Sequence, residues 1–387
     1  MEKSRMVHTP FQIQVAEEVL VDLKQRLART RWPDSLPDAG WDYGTNLTYL
    51  QHLVDYWQES YDWRAWERLL NTFPQFTTRI DGIHLHFLHV KGKGTQPLPL
   101  LISHGWPGSF FEMYKILGPL TDPTSYGGDP ADVFDVVVPS LPGYGFSGPT
   151  NARGITVARI AEAFVSLMQD LGYARFATQG GDWGLHITRT LGRTWASRII
   201  GIHLNMEPAR GVLSKEATNE AERLWLEQQA QWLWGESGYA HQHETRPQTL
   251  AYGLNDSPVG LAGWIVEKFR AWSDCHGEVE SVFTKDELLT NIMIYWITQT
   301  INSSMRLYYE SFHQHDDLLA GRAEVPTGMA VFPDDLPVPP RSLAERLYNI
   351  QRWTEMKAGG HFAALEQPQA LVEDIRAFFR PLRHSMV

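Results

Sequence analysis

Apolar positions along the chain recur first at helical spacing and then at strand spacing. Val19, Leu20, Leu23 and Leu27 make one stripe across residues 15–28, which predicts an amphipathic helix stopped by Pro33. A second, aromatic-rich helix is predicted over 47–59. Residues 83–90 alternate instead, with Ile83, Leu85 and Phe87 on one face and His84 and His86 on the other. From residue 97 short apolar runs at 100–103, 134–139, 176–179 and 199–204 read as buried strands, with helices predicted between them at 110–120, 155–171 and 183–195. That alternation predicts a largely parallel sheet covered by helices. It breaks over a long Trp-rich helical stretch, then resumes with strands at 328–332 and 350–357 and a last helix at 368–379. The expected fold is α/β in four segments. Residues 1–92 form a helical extension and first strand, 93–208 the first part of the core, 209–325 an inserted helical cap, and 326–387 the rest of the core.

Composition narrows the classes. The 387 residues carry a net charge of −11 and no long basic run, so nucleic-acid binding has no electrostatic footprint. One cysteine, Cys275, excludes an intramolecular disulfide and a thiolate metal cluster, and a cytoplasmic setting is the simplest reading. No stretch of about 20 apolar residues is present to span a membrane, and the N-terminus shows no apolar secretory segment.

The chemistry concentrates at the ends of predicted strands. Gln179-Gly180-Gly181-Asp182-Trp183-Gly184 has the spacing of a nucleophile elbow, a sharp strand-to-helix turn in which small neighbours let the central side chain point outward. A Gly-rich turn with an Asp helix cap has the same letters. His361, in Ala358-Gly359-Gly360-His361-Phe362, follows the last predicted strand, the place of the histidine in a nucleophile–acid–histidine order. His186, one helical turn after Asp182, is its rival. The acid belongs after strand 328–332, where Asp334 and Asp335 both qualify. His104-Gly105-Trp106-Pro107 ends an earlier strand, and its loop predicts an oxyanion hole from the backbone N–H groups of Trp106 and Trp183.

Taken together, Arg31-Trp32-Pro33, residues 76–82 (FTTRIDG), the HGWP loop, 141–147 (LPGYGFS), 180–184 (GGDWG) and 359–368 (GGHFAALEQP) resemble the epoxide hydrolases of the α/β-hydrolase superfamily, over nearly the whole chain. The similarity is to the microsomal-type branch with its soluble bacterial and fungal members. It implies that Asp182 is the nucleophile, His361 the general base and Asp335 rather than Asp334 its acid partner. It also implies that two cap tyrosines, Tyr239 and Tyr308, donate protons to the epoxide oxygen; Tyr252 and Tyr309 are their neighbouring candidates. Animal microsomal relatives carry an N-terminal membrane anchor. This chain begins with the extension itself, so the resemblance points to a soluble form, with a homodimer carried over from fold relatives.

These residue types suit ring opening. An Asp, with a reference pKa of about 3.9, is ionised at neutral pH and attacks the strained carbon without a base. Tyrosines, at about 10, stay protonated and can protonate the leaving alkoxide. The result is an ester on Asp182, which water activated by His361 hydrolyses to a vicinal diol, with no metal or organic cofactor. His361 is expected to start neutral, with rate loss at acid pH. Three other readings remain: a haloalkane dehalogenase using Trp donors, a non-enzymatic binder of an apolar ligand, and a metal site among His84, His86, His89, His241, His243, His313 and His315. The cap aromatics Trp225, Trp232, Trp234, Trp264 and Trp296 suggest an apolar or aryl-bearing epoxide, or simply pack the cap.

Overall fold

The computed structural model describes residues 7–206, 217–313 and 321–386. Among these, nine strands form one sheet: β1 (Thr9–Phe11), β2 (Gln75–Ile80), β3 (Ile83–Val90), β4 (Leu98–Ser103), β5 (Phe134–Pro139), β6 (Phe176–Gly180), β7 (Ile199–Leu204), β8 (Ala323–Val331) and β9 (Tyr348–Glu355). Their spatial order is β1-β2-β3-β5-β4-β6-β7-β8-β9. Pairings from β1 to β5 through β2 and β3 are antiparallel, and the remaining ones are parallel. The parallel part is the one sheathed on both faces. Every residue of β5 and β7 is buried, which is why these strands read as continuous apolar runs rather than alternations.

The N-terminal segment holds more strand than its helical pattern predicts. β1 and β2 extend the sheet beyond β3, and Thr77, Thr78 and Arg79 mask β2 in the sequence. His86, on the polar face of β3, is nevertheless fully buried, because Phe11 lies edge-on over it at 5.0 Å and Gln75 and Ser140 bind its two nitrogens. The predicted helix 110–120 divides into a short 3₁₀ turn, Phe110–Met113, and a helix, Tyr114–Thr121. β8 begins at Ala323, ahead of the predicted 328, since exposed Glu324 and Pro326 at a bulge interrupt its apolar run. The expected boundary at 209 lies outside the described residues.

Between β7 and β8 the described chain is helical: Glu220–Glu236, Gly238–Thr245, Pro247–Asp256, Pro258–Ala271, Lys285–Thr298 and Ile301–His313. The helices of the N-terminal segment, Glu17–Ala28, Leu47–Glu59 and Trp63–Leu70, brace this layer. Thr45 donates to Gly263 O at 2.6 Å, Tyr56 donates to Asp286 at 2.9 Å, and Arg26 pairs with Asp256 at 2.8 Å. No helix among the described residues is long and apolar enough to cross a membrane.

Candidate active site

The chain leaves β4 for β5 on one side and then returns to place β6 on the other. The carboxyl end of β4 is therefore a topological switch point, where open α/β sheets bind ligands. Ser103, the last residue of β4, pairs with Gly180, the last of β6. The loops that follow, 104–107 and 181–182, thus emerge side by side.

Asp182 sits at the sharpest point, with φ 51° and ψ −127°. Positive φ at a non-glycine residue costs about 1–3 kcal/mol and persists only where the surroundings fix it. Here the packing does so. A Cβ on Gly180 would strike the Gly184 carbonyl, one on Gly184 the Ser103 carbonyl, and one on Gly105 the Asp182 carboxylate itself. The turn therefore works only with glycine at these close approaches.

The two carboxylate oxygens of Asp182 have different partners. Oδ1 accepts from the backbone N–H of Trp106 at 2.8 Å and of Trp183 at 2.7 Å. Oδ2 faces His361 Nε2 at 3.4 Å. Burial alone would raise this carboxyl, but His361 and the two N–H donors outweigh it and hold Asp182 below the usual carboxylate range.

His361 follows β9 in a loop fixed from several directions. Its own N–H donates to Trp272 O at 2.8 Å. The N–H groups of Gly360, Phe362 and Asp274 all donate to the Glu366 carboxylate at 2.8–2.9 Å. Burial pushes the Glu366 carboxyl up to about 7. His361 Nδ1–H donates to Asp335 Oδ1 at 2.8 Å, leaving Nε2 toward Asp182. The Asp335 side chain is fully buried, whereas Asp334 is exposed, its N–H on Gly359 O and its side chain hydrogen-bonded to Asp274. Burial would lower the imidazole, yet Asp335 and Asp182 together hold it well above the ordinary histidine range. The two flanking carboxylates thus favour the protonated imidazole in the resting site, against the neutral form expected of His361.

Tyr239, in helix Gly238–Thr245, and Tyr308, in helix Ile301–His313, meet above this group with ring centroids 5.9 Å apart and the Tyr239 side chain hydrogen-bonded to Tyr308. Burial, followed by neighbouring Tyr239 and Asp182, keeps the Tyr308 hydroxyl protonated well above pH 10. Tyr308 stands edge-on to Trp183 at 4.7 Å. Its helix rests on the LPGYG loop, where Ser303 donates to Gly143 O and Tyr144 to Ser304 O. Tyr252 is 73% exposed and Tyr309 points out of the site at 37%, so neither neighbouring candidate competes. His186 packs against Trp183 at 5.7 Å, one turn away from the triad.

Other expected residues lie elsewhere. Trp234 is 93% exposed, and Trp225 packs under Leu343 with its N–H on Pro337 O. The aromatic lining comes instead from Trp106, Trp183 and Trp272, the last edge-on to His361 at 5.1 Å. Nothing in the sequence marked Trp272, and His243, considered there only as a metal ligand, instead accepts from Trp264 Nε1 at 3.2 Å beside both tyrosines. Among the described residues no three histidine or acidic side chains converge on a metal position. His84 and His89 are engaged by Ser147 O and Tyr173, and His315 lies outside the described residues. A cleft of about 1540 Å³ between residues 22–50 and 256–267 reaches neither Asp182 nor His361.

Comparison with known proteins agrees with this geometry. Residues 8–113 match the family described as "Epoxide hydrolase N terminus", and residues 99–249 match "alpha/beta hydrolase fold". A putative epoxide hydrolase of Stigmatella aurantiaca is 44% identical over 97% of this chain and 85% of its own length. Epoxide hydrolase 1 of Oryctolagus cuniculus is 39% identical over 95% and 88%. The crystal structure of juvenile hormone epoxide hydrolase from Bombyx mori superposes with a TM-score of 0.88 at 33% identity, covering 99% of this chain and 96% of that one. The epoxide hydrolase of Aspergillus niger gives 0.86 at 32%, covering 98% and 97%. With curated relatives well above 30% identical along almost its full length, the chain belongs to the epoxide hydrolase family of α/β hydrolases.

Proposed function

We propose that this protein opens an epoxide by attack of Asp182 Oδ2 on a ring carbon, with Tyr239 and Tyr308 protonating the departing oxygen. The C–O bond of the ring breaks as the Asp182–carbon bond forms, giving a β-hydroxy ester. Water then adds to Asp182 Cγ, His361 Nε2 takes its proton, and the oxyanion on Oδ1 rests on the Trp106 and Trp183 N–H groups. Each such donor is typically worth about 2.7–4 kcal/mol. Collapse breaks the Cγ–Oδ2 bond and His361 returns the proton to the alkoxide; the vicinal diol leaves, and the second water proton, left on the Asp182 carboxyl, restores the tyrosine hydroxyl. Asp335 orients the imidazole and balances its charge.

The observation that carries this reading is the division of labour on Asp182, with two N–H donors on Oδ1 and the histidine on Oδ2. Two tyrosines over the nucleophile favour an epoxide oxygen as the leaving group, and no comparison supports the haloalkane alternative. The aromatic lining favours an apolar or aryl-bearing epoxide. The cytoplasm is the proposed setting and a homodimer the proposed assembly, which light scattering tests. The mechanism is tested by one turnover in H₂¹⁸O with enzyme in excess. The diol should carry unlabelled oxygen, drawn from Asp182, and the label should appear in the peptide containing Asp182. Label in the diol on the first turnover would mean direct attack by water and would overturn the ester.

A further inference from the structure

Behind Asp182 and His361 lies an enclosed cavity of about 20 Å³, lined by Ser103, Glu112, Gln179 and Asn205 as well as by the two catalytic side chains. A single water needs roughly 10–15 Å³ of such space and two to four polar partners. The lining supplies them. Ser103 Oγ and Gln179 Oε1 are both buried and have no protein partner. Gln179 is not free to turn away, because its Nε2 donates to Asn205 Oδ1 at 2.7 Å, which fixes Oε1 as the outward acceptor. Buried polar atoms without partners cost about 1–3 kcal/mol each, so two of them on one cavity wall call for an occupant. Of the other lining residues, Met113, Phe362 and Leu371 are apolar, and both ring nitrogens of His104 are already engaged, by Gly105 O and the Leu141 N–H.

We propose that this cavity is a built site for one water molecule, held by Ser103 Oγ and Gln179 Oε1, and that it supplies the water that hydrolyses the Asp182 ester. The proposal rests on the two-step reading given above. Ser103 and Gln179 are positioning residues: they touch the water before attack, not the epoxide. Their place in the fold suits that work. Ser103 ends β4 and Gln179 lies next to the end of β6, so the sheet itself sets their spacing, and neither belongs to the cap. In the step itself the water oxygen bonds to Asp182 Cγ while its proton passes to His361 Nε2. Neither Ser103 nor Gln179 gains or loses a proton. Glu112, on the same wall, is kept in its neutral acid form near neutral pH, since burial pushes its carboxyl up to about 8, and so adds no second anion beside Asp182.

The test separates the two chemical steps. In a mechanism of alkylation followed by hydrolysis, kcat/KM reports alkylation alone, so slower hydrolysis lowers kcat and KM together. The full-length protein, Ser103→Ala and Gln179→Met are mixed with whichever of styrene oxide, phenyl glycidyl ether and cyclohexene oxide the parent turns over fastest. Ester formation and decay are followed by rapid quench and intact-protein mass. The expected result is roughly tenfold slower ester decay in each variant, about the effect of one lost hydrogen bond, with kcat/KM unchanged. Ser103→Thr, which keeps the hydroxyl, should restore decay toward the parent rate. Unchanged decay in both alanine and methionine variants, or a loss shared equally by kcat/KM, overturns the proposal. The absence of any ester in the parent as well would instead overturn the two-step reading on which it rests.

Discussion

The indole of Trp106 lies flat against the ring of Tyr239, 5.0 Å between centroids and 9° from parallel. In the proposed mechanism one residue thus serves two halves of the reaction. Its backbone N–H holds Asp182 Oδ1, while its side chain seats a proton donor that belongs to the cap. The pairing ties the position of the cap helix Gly238–Thr245 to the turn that carries the nucleophile.

Replacing Trp106 with Phe should separate the two roles. The N–H remains, so ester hydrolysis should change little. The smaller ring covers less of Tyr239, so alkylation should fall by roughly tenfold. Single-turnover rates of ester formation and decay decide it; equal losses in both would place the effect on the oxyanion hole instead.

His361→Gln should stop the reaction at the ester. Glutamine can still occupy the space beside Asp182 but cannot take a proton from water. The variant should gain the mass of one epoxide on the peptide containing Asp182. Asp335→Asn should also accumulate ester, with hydrolysis slowed by up to roughly 10⁴-fold, because its amide can leave the imidazole in the wrong tautomer. No adduct in either variant would remove Asp182 from the nucleophile's place.

The pH dependence follows from the carboxylates around His361. In the resting protein Asp335 and Asp182 raise the imidazole well above its ordinary value. Esterification removes the Asp182 charge and so must lower it. The histidine titration seen by NMR in the resting protein should therefore lie at higher pH than the limb in the hydrolysis rate, which falls on the acid side. The resting pair contributes stability that is fully present below about pH 6.5 and is lost as pH rises through the raised value. Coincident values for the resting titration and the hydrolysis limb would contradict the link.

Much of this site was legible in the sequence because its parts sit where strands end. GGDWG and GGHF each follow an apolar run, and their glycines are demanded by backbone approaches that the structure shows at Gly180, Gly184 and Gly360. Periodicity left Asp334 and Asp335 as equals. Only the turn after β8 buries one and exposes the other. The tyrosines had no local signal at all, since a cap tyrosine looks like any core aromatic; family likeness singled them out. Trp272 was invisible for a similar reason. It reaches His361 from a cap helix 89 positions away in sequence, a contact made by tertiary packing alone. β1 escaped notice because it is a three-residue edge strand, and β2 because polar Thr77, Thr78 and Arg79 blur its apolar pattern.

The tyrosines should contribute to the first step alone. Tyr239→Phe and Tyr308→Phe should each slow alkylation by roughly 10²-fold, at the lower end of general acid catalysis, and leave decay of a preformed ester unaffected. The double variant should lose far more than either one, because neither hydroxyl is left to supply the proton. Rapid-quench measurement of adduct formation tests this, and a slower ester decay in the single variants would count against a role confined to ring opening.

Glu366 offers a test of how the histidine loop is held. Its carboxylate accepts from three backbone N–H groups that bracket His361 and Asp274, in a site buried enough to push its carboxyl up to about 7. In the unfolded chain the same group titrates near 4.5. Between these values the folded protein binds the proton more tightly than the unfolded chain does, so this group costs stability as pH rises from about 4.5 to about 7. The total is on the order of 3 kcal/mol. Glu366→Gln removes the titration, and its single amide oxygen also leaves at least one of the three N–H groups without an acceptor. The variant should therefore be less stable than the parent at pH 5, by about 1–3 kcal/mol, and the difference should shrink toward pH 7. Denaturant unfolding at several pH values measures both effects. A difference that stays constant across this range would mean that Glu366 is already ionised in the folded protein at pH 5, and that the three N–H groups outweigh its burial.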